Sequence, residues 1–371
     1  MKTGEQLDTE ILALIGHGLD RRDEGQFNRL ALDVFEYQFA KNDPYRRFCQ
    51  RRGAEPARVA SWREVPAVPT TAFKDAALAC FPVENAAVVF ETSGTSRAKA
   101  KRGRHYLKTT ELYRASIIPN FAAHLLPDGA KPPMLMLTPS PEEAPTSSLS
   151  YMMGVVSEEF GARGRHYFIE GGKLDAVRLC DVLRMAEGFD QAVMLLGTAF
   201  AFVHFFEWCE KNRQFFHLPK GSRAMETGGF KGRSRELSKE ELYELFDEFL
   251  LLPADRVVNE YGMTELSVQF YDAKLRNPKS EISNPKCAPP WCRVMIVDPA
   301  TGREVAEGER GLIRVCDLTN RSSVMAVQTE DIGLRIGDGF EVIGRATGAE
   351  ARGCSIAADE FLAANDGDGR K

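Results

Sequence analysis

The stretch Ala192–Asn212, AVMLLGTAFAFVHFFEWCEKN, joins two different hydrophobic patterns. Residues 192–197 form a short apolar run, which is typical of a buried β-strand. Residues 200–212 place apolar side chains at helical spacing, which predicts an amphipathic helix. A strand that leads directly into a helix is the repeating unit of α/β proteins, so this stretch predicts a sheet covered by helices.

The same alternation continues on both sides of this stretch. Further strands are predicted at 134–138 and before 224–229, and further helices at 174–186 and 239–252. Alternating strands and helices of this kind form an α/β fold with a largely parallel sheet and helices packed on it. From Val294 onward the pattern changes to two strands joined by a turn, which predicts a β-rich closing lobe.

The amino-terminal part of the chain is predicted to be helical. Residues 5–50 carry apolar residues at helical spacing, which predicts two helices, the second ending near Asp43-Pro44. A proline-punctuated connector at 65–73 and a strand at 87–91 follow. We therefore divide the chain into a helical and connector segment at 1–86, an α/β core that binds nucleotide and acid at 87–290, and a β-rich lobe with a short tail at 291–371.

Composition narrows the class of protein. The 371 residues are 43% hydrophobic and 27% charged, and the formal net charge of -5 disfavours a nucleic-acid-binding protein. No apolar run reaches about 18 residues, so we expect no membrane span, and the acidic start does not fit a signal peptide. The eight cysteines are scattered as in reduced cytosolic proteins, and we expect a cytoplasmic location. Cys287 and Cys292 frame CAPPWC, but their loose spacing disfavours a zinc site.

A loop rich in glycine and hydroxyl residues follows the strand predicted at 87–91. Its residues are Thr92, Ser93, Gly94, Thr95 and Ser96, and a run of lysines and arginines comes after them. Backbone N–H groups and hydroxyls in such a loop form an anion-binding nest, and the basic run adds charge. The loop is not a Walker A motif, and taken alone it also fits an ordinary surface loop.

Two further stretches contain residues that suit parts of a nucleotide. In METGGFK at 225–231, the pair Gly228 and Gly229 allows a flat ring to approach the backbone, while Lys231 fits either a phosphate contact or a solvated position. In TEDIGLRIGDGFEVIGR at 329–345, Asp331 can accept from both ribose hydroxyls and Arg345 can reach the sugar.

The stretch NEYGMTEL at 259–266 places an aromatic ring, a glycine, a hydroxyl and a carboxylate close together. Tyr261 can stack on a purine, Thr264 can donate to an α-phosphate, and Glu265 can hold Mg²⁺. Together with the loop, this stretch predicts a site for a magnesium-bound nucleotide.

The order and separation of these motifs resemble those of the adenylate-forming enzyme superfamily, which includes acyl-CoA synthetases and aryl-CoA ligases. Its TSGTTG loop is similar to residues 92–96, and its YGxTE motif stands here as Tyr261, Gly262, Thr264 and Glu265. Asp331 is similar to the ribose-binding aspartate of its TGD motif, and Arg345 to its hinge-side arginine.

Nearly the whole chain resembles the LuxE-type acyl-protein synthetases of bacterial luminescence systems. The resemblance includes FNRLALDVFEYQF, NDPYRRFC, VPAVPTTAFK, PPWCRVMIVDP and GRATGAEARGCS. It implies the large amino-terminal domain of an adenylate-forming enzyme, with the mobile carboxyl-terminal subdomain truncated or absent. The larger ligases carry a catalytic lysine in that subdomain, whereas after Arg345 this sequence has only the terminal Lys371.

The resemblance implies a reaction and a set of contacts. ATP and Mg²⁺ are expected to activate a carboxylic acid, such as a fatty acid, to acyl-AMP with release of pyrophosphate. The expected contacts are Ser93, Gly94, Thr95 and Ser96 with the β- and γ-phosphates, Thr264 with the α-phosphate, Glu265 with Mg²⁺, Tyr261 with adenine and Asp331 with ribose.

The resemblance also implies an acyl acceptor. In the luminescence-type enzymes a cysteine near the carboxyl terminus takes the acyl group and passes it to a reductase partner, and Cys354 stands in that position here. Arg352 would favour its thiolate. Two alternatives stay open, a ligase that acylates CoA or a carrier protein without self-acylation, and a non-catalytic nucleotide-binding scaffold. The sequence leaves the identity of the acid and the oligomeric state open.

Three histidines and one apolar stretch have plainer interpretations. His105 and His166 are predicted to be polar packing residues, and His204, which lies among phenylalanines, to be in the core or at a pocket wall. Residues 196–202 fit either plain core, which we favour slightly, or the lining of an acyl pocket.

Overall fold

The structure, a computed structural model, describes residues 1–92, 101–161, 166–228, 237–277, 285–346, 361–362 and 364–365. Within this part of the chain, each helix is too short or too polar to span a membrane. The chain forms two compact units, of which the first comprises Met1–Pro119, Met263–Gln269 and Pro285–Lys371, and the second Asn120–Gly262 and Phe270–Asn284. The three-segment division of the chain given above stays a prediction.

The regular elements alternate much as the sequence predicts. The helices are α1 (Gly4–Gly16), α2 (Glu24–Lys41), α3 (Asp43–Arg51), α4 (Ala72–Asp75), α5 (Glu111–Leu125), α6 (Ser148–Phe160), α7 (Ala176–Gly188), α8 (Ala199–Asn212) and α9 (Lys239–Leu250). The strands are β1 (Val68–Pro69), β2 (Val88–Glu91), β3 (Arg104–Leu107), β4 (Met134–Leu137), β5 (His166–Tyr167), β6 (Ile169–Glu170), β7 (Lys173–Leu174), β8 (Met194–Thr198), β9 (Arg223–Thr227), β10 (Val257–Tyr261), β11 (Phe270–Asp272), β12 (Lys286–Cys287), β13 (Cys292–Val297), β14 (Arg310–Asp317), β15 (Ala326–Ile336) and β16 (Gly339–Arg345).

The amino-terminal segment has three helices, so the prediction of two was wrong. The second helix ends at Lys41 rather than at Asp43-Pro44, and α3 begins there instead. The Asn42 side chain caps α3 by accepting from the Tyr45 N–H at 3.2 Å. Pro44 lies in the first turn of α3, where a missing N–H costs no helical hydrogen bond. Pro44, which was predicted to stop the second helix, therefore marks the start of the third.

The first unit contains an antiparallel sheet. Strands β13, β14, β15 and β16 pair in sequence order, and β12 pairs with β16. The two strands predicted after Val294 are confirmed as β13 and β14. The connector at 65–73 is extended only in part, because β1 pairs in parallel with β15 while Phe73 lies in the short helix α4.

The second unit contains the parallel sheet. Strands β5, β4, β8, β9 and β10 are neighbours in this order and all run parallel, with β11 added antiparallel to β10. The prediction of a largely parallel α/β sheet is thereby confirmed. The carboxyl ends of β8, β9 and β10 lie at the same edge, which is where open α/β sheets bind ligands.

Helices α7, α8 and α9 cover this sheet with an apolar core. Phe202, Phe206 and Phe246 are fully buried in it, which supports the core interpretation of residues 196–202. Gly197 on β8 permits close packing, since a Cβ there would lie 2.8 Å from the Leu137 Cβ on β4. Residues 196–202 therefore pack the helices against the sheet.

The three histidines differ in burial. His105 is 1% exposed, and His166 on β5 is half-buried with its ring centroid 6.5 Å from that of Phe168, so both pack as predicted. His204 is not a core residue, so that part of the prediction was wrong, and its placement at a pocket wall stays a prediction. Its side chain is 47% exposed and its Nδ1 lies 3.6 Å from Glu207, because it projects from the face of α8 opposite the buried phenylalanines.

Candidate functional site

The glycine-hydroxyl loop connects the two strands of a hairpin in the first unit. Strands β2 and β3 pair antiparallel, and Thr92 continues the pairing by one step. The Thr92 N–H donates to the Gly103 carbonyl at 2.9 Å, and the Gly103 N–H donates to the Thr92 hydroxyl at 2.9 Å. Thr92 thus closes the base of the loop. Ser93, Gly94, Thr95 and Ser96 lie outside the described residues.

A basic cavity of about 480 Å³ lies beside this hairpin. Its apolar wall includes Phe73 and Tyr106. Basic side chains outnumber carboxylates around the cavity, which favours the binding of an anion there. Its charged residues are Lys74, Lys101, Arg102 and Arg104, against Asp75 and Glu91.

Part of this charge is neutralised by ion pairs. Arg104 Nε lies 3.1 Å from the Glu91 carboxylate, Arg102 lies 3.5 Å from the same carboxylate, and Lys101 lies 4.0 Å from Asp75. Since the arginine and lysine side chains are more than half exposed, these pairs are weak and can yield to a phosphate.

The Thr264–Glu265 pair lies in a turn of the first unit whose backbone is held by other elements. His105 on β3 donates from Nδ1 to the Thr264 carbonyl at 2.8 Å. Asn320 donates from Nδ2 to the Glu265 carbonyl at 2.9 Å. Burial lowers the pKa of His105 to about 4, so the ring is neutral near pH 7 and its single proton is on Nδ1.

The carboxyl group of Glu265 is suited to bind a cation. Glu265 is 8% exposed, and burial raises its pKa to about 7 although the charges of Lys74 and Arg345 oppose the shift. A buried carboxylate of this kind gains from a divalent cation, which would keep it ionised. Among the described residues, no group of three or more His, Cys, Asp or Glu could hold a metal. One carboxylate is enough for Mg²⁺, which takes its remaining ligands from nucleotide phosphates and water.

Asp331 and Arg345 lie opposite each other on β15 and β16. The Arg345 Nε is 3.7 Å from the Asp331 Oδ1, and its Nη1 is 4.0 Å from the Glu330 carboxylate. The Arg345 side chain is 66% exposed and the Asp331 side chain 18% exposed. An exposed guanidinium beside a half-buried carboxylate presents donors and acceptors to a polar ligand such as a ribose.

Tyr261, Gly262 and Gly228 lie in the second unit, at the carboxyl edge of its sheet. Tyr261 ends β10, with its ring centroid 6.0 Å from that of Phe270. A Cβ at Gly262 would contact the Glu260 carboxylate, so a larger residue there would require the Glu260 side chain to move. Gly228 follows β9 with a φ of 77°, a left-handed conformation that favours glycine. Gly229 and Lys231 lie outside the described residues.

The structure therefore places the predicted residues in two groups. The first unit contains Thr92, Thr264, Glu265, Asp331 and Arg345. The second unit contains Tyr261, Gly262 and Gly228. Cys354 lies outside the described residues.

Sequence reasoning missed several residues that hold the site. The sequence did not predict a role for Asn320. It also did not predict the hydrogen bonds of Asp317 and Thr319 with the backbone of Ser267, two residues after Glu265. The available signal was the polar run DLTNRSS at 317–323, which follows a predicted strand and contains the residues that favour side-chain to backbone bonds.

A family model described as acyl-protein synthetase, LuxE, matches residues 13–363. The long-chain-fatty-acid–luciferin-component ligase of Vibrio harveyi is 22% identical over 352 residues, which cover 92% of this chain and 89% of the relative. The ligase of the same name from Aliivibrio fischeri is 21% identical over 351 residues, which cover 91% and 89%.

Solved structures show the same fold. A 2-hydroxyisobutyryl-CoA ligase, in an open conformation with 2-HIB-AMP and CoA, superposes with a TM-score of 0.64 at 16% identity, over 86% of this chain and 75% of that one. The α/β fold is thus that of adenylate-forming ligases. Because the family model extends over nearly all of the sequence, the chain belongs to the LuxE family of acyl-protein synthetases.

Proposed function

We propose that this ligase uses Mg·ATP to activate a carboxylic acid to acyl-AMP and then passes the acyl group to a protein thiol. The observation that carries the proposal is the buried Glu265 carboxyl, with its pKa raised to about 7, in the same compact unit as Asp331, Arg345 and the hairpin at Thr92. Membership of the LuxE family supports the reaction class.

In the first step, an oxygen of the acid forms a bond to the α-phosphorus of ATP. The bond between that phosphorus and the bridging oxygen breaks, and pyrophosphate leaves with the electron pair. The bound Mg²⁺ would offset charge on the phosphates, and Glu265 would hold it. Thr264 would donate to the α-phosphate, while Ser93, Gly94, Thr95 and Ser96 would hold the β- and γ-phosphates.

The remaining residues would bind the nucleoside. Asp331 would accept from the ribose hydroxyls, with Arg345 beside it, and Tyr261 would stack on the adenine. Gly228 and Gly229 would let the ring approach the backbone. Positioning of this kind accounts for most of the catalysis in phosphoryl and adenylyl transfer.

In the second step, a thiolate attacks the acyl carbon and AMP leaves with the electrons of the broken bond. Cys354 is the proposed thiol, because the resemblance to the family places the acceptor at that position. The names of the relatives support a long-chain fatty acid as substrate and a reductase or other acyl-accepting protein as partner.

Incubation of the pure protein with Mg·ATP and a panel of acids, from aryl acids to long-chain fatty acids, tests the proposal. We expect pyrophosphate release together with a mass gain of one acyl group that hydroxylamine removes. Asp331→Ala and Glu265→Ala should abolish pyrophosphate release, whereas Cys354→Ser should abolish only the mass gain.

The other outcomes identify the alternatives. Pyrophosphate release without a mass gain would keep the adenylating step and move the acceptor to CoA or to another protein. Acylation of the Cys354→Ser variant at normal yield would exclude Cys354. ATP binding without pyrophosphate release for any acid, with or without an added acceptor, would favour a nucleotide-binding scaffold.

A further inference from the structure

The turn that carries Thr264 and Glu265 lacks a regular ladder of backbone hydrogen bonds. It lies between β10 and β11, and the residues from Gly262 to Gln269 belong to no helix or strand. The direction in which the Thr264 hydroxyl and the Glu265 carboxylate point therefore depends on side chains that bond this turn.

Two buried side chains hold the carbonyl groups of these two residues. His105 Nδ1 donates to the Thr264 carbonyl at 2.8 Å, and Asn320 Nδ2 donates to the Glu265 carbonyl at 2.9 Å. His105 is 1% exposed and Asn320 is fully buried. Loss of either donor would leave a carbonyl without its partner and release the turn.

Two further buried side chains fix the end of the turn. The Ser267 N–H donates to the Asp317 carboxylate at 2.9 Å, and the Thr319 hydroxyl donates to the Ser267 carbonyl at 3.0 Å. Asp317 is fully buried, and burial raises its pKa to about 6. Side chains thus form hydrogen bonds with the backbone of three of the four residues at 264–267.

The elements that supply these bonds are themselves fixed. Gln38 on α2 donates to the Asn320 carbonyl at 3.1 Å and accepts from the Met325 N–H at 3.0 Å. His105 is held by the pairing of β3 with β2, with its ring centroid 5.8 Å from that of Phe73. Donors that cannot move impose one position on the groups they bind.

We propose that His105 and Asn320 are positioning residues, which aim the Thr264 hydroxyl and the Glu265 carboxylate at Mg·ATP by holding the two carbonyls. The inference rests on the proposed function. His105 also lies on β3, so one hydrogen bond joins the β2–β3 hairpin to the Thr264–Glu265 turn.

A matched pair of variants separates positioning from packing. His105→Asn keeps an N–H donor near the place of Nδ1, whereas His105→Leu has the same branched skeleton of side-chain heavy atoms as asparagine and no donor. Asn320→Ala removes the second donor independently. His124→Leu is the control, because His124 is equally buried and donates from Nδ1 to the Asn120 carbonyl of its own helix at 2.9 Å.

The measurement is acid-dependent pyrophosphate release as a function of Mg²⁺ and ATP, with melting temperature recorded for each variant. We expect His105→Leu and Asn320→Ala to raise the half-saturating Mg²⁺ concentration about tenfold or lower kcat by that factor, the usual effect of losing a group that orients a metal ligand. His105→Asn should restore most of the loss, and His124→Leu should lower only the melting temperature.

Several results would overturn the inference. Unchanged Mg²⁺ dependence and kcat in folded His105→Leu and Asn320→Ala would do so, as would equal losses in His105→Asn and His105→Leu. Failure of both donor-lacking variants to fold would assign the network to stability alone. Absence of pyrophosphate release in the wild type would instead refute the proposed function.

Discussion

Asp331 and Arg345 are register partners on adjacent antiparallel strands, with the Arg345 Nε 3.7 Å from the Asp331 Oδ1. The Arg345 side chain is 66% exposed, so this pair contributes little to the stability of the sheet. Its geometry matters more for a ligand, because the strand pairing fixes the backbone positions from which the carboxylate and the guanidinium extend.

Arg345→Ala is therefore expected to affect nucleotide binding more than folding. We expect the KM for ATP to rise about tenfold, the effect of losing one hydrogen bond from a charged group, with a change in unfolding free energy of about 0.5 kcal/mol or less. Steady-state kinetics and urea unfolding measure both. Arg335→Ala is the control, because Arg335 lies on the neighbouring strand β15 and forms a 3.3 Å ion pair with Glu304. An equal rise in KM for both variants would argue against a specific role for Arg345.

Glu265→Gln is expected to remove activity and to increase stability at alkaline pH. Burial raises the pKa of Glu265 in the folded protein from 4.5 to about 7, so its stabilising contribution is complete below pH 4.5 and is lost as the pH rises through 7. In EDTA at pH 8, the glutamine variant should exceed the wild type by roughly 3 kcal/mol at most, a difference that vanishes near pH 4.

Urea unfolding at several pH values, alongside pyrophosphate release, tests this expectation for Glu265. Glu248, an exposed glutamate on α9, provides the control, and Glu248→Gln should leave the free energy of unfolding at pH 8 nearly unchanged. A Glu265→Gln variant less stable than the wild type at pH 8 would contradict the assigned burial of the charge.

Local patterns in the sequence were sufficient to predict the elements and the motifs. The apolar run at 192–197 and the helical spacing that follows it correspond to β8 and α8, because both patterns directly reflect burial on one element. The proline at position 44 was misread because its effect depends on whether a cap precedes it, as Asn42 does.

Side chains that act on distant parts of the chain were harder to predict. His105 and Asn320 bond residues 159 and 55 positions away, and no local period links such positions. His204 was predicted to lie in the core or at a pocket wall because of its phenylalanine neighbours, and the core prediction failed because one face of an amphipathic helix is exposed. Spatial pairing of this kind follows from the fold and not from composition.

Gly197→Ala is expected to destabilise the second unit. A Cβ at this position on β8 would lie 2.8 Å from the Leu137 Cβ and 3.3 Å from the Phe202 ring, so the sheet and α8 must move apart. Overpacking of this kind costs about 1–3 kcal/mol. Urea denaturation measures it. The matched control is Gly188→Ala, where no atom lies within 4 Å of the added Cβ, and that variant should be neutral or slightly more stable. Equal stability of the two variants would contradict the close approach of β4 and β8.

His105 is expected to make the protein sensitive to acid. Burial lowers the pKa of His105 from 6.5 to about 4, so its contribution to stability is complete above pH 6.5 and is lost as the pH falls towards 4. The loss amounts to about 3 kcal/mol at most. Glu265 and Asp317 change the stability in the opposite direction as the pH falls. Burial raises the pKa of Glu265 to about 7 and that of Asp317 to about 6, so both carboxyl groups favour the folded state more at low pH.

The contribution of His105 must therefore be measured as a difference between two proteins. The free energy of unfolding of the wild type should fall relative to that of His105→Asn between pH 6.5 and 4, while the two run parallel above pH 7. Because asparagine does not titrate, this difference isolates the histidine from the carboxyl groups. Parallel curves over the whole range would mean that the ring accepts a proton as readily in the folded state as in the unfolded state, which is incompatible with the burial of His105 that keeps its ring neutral.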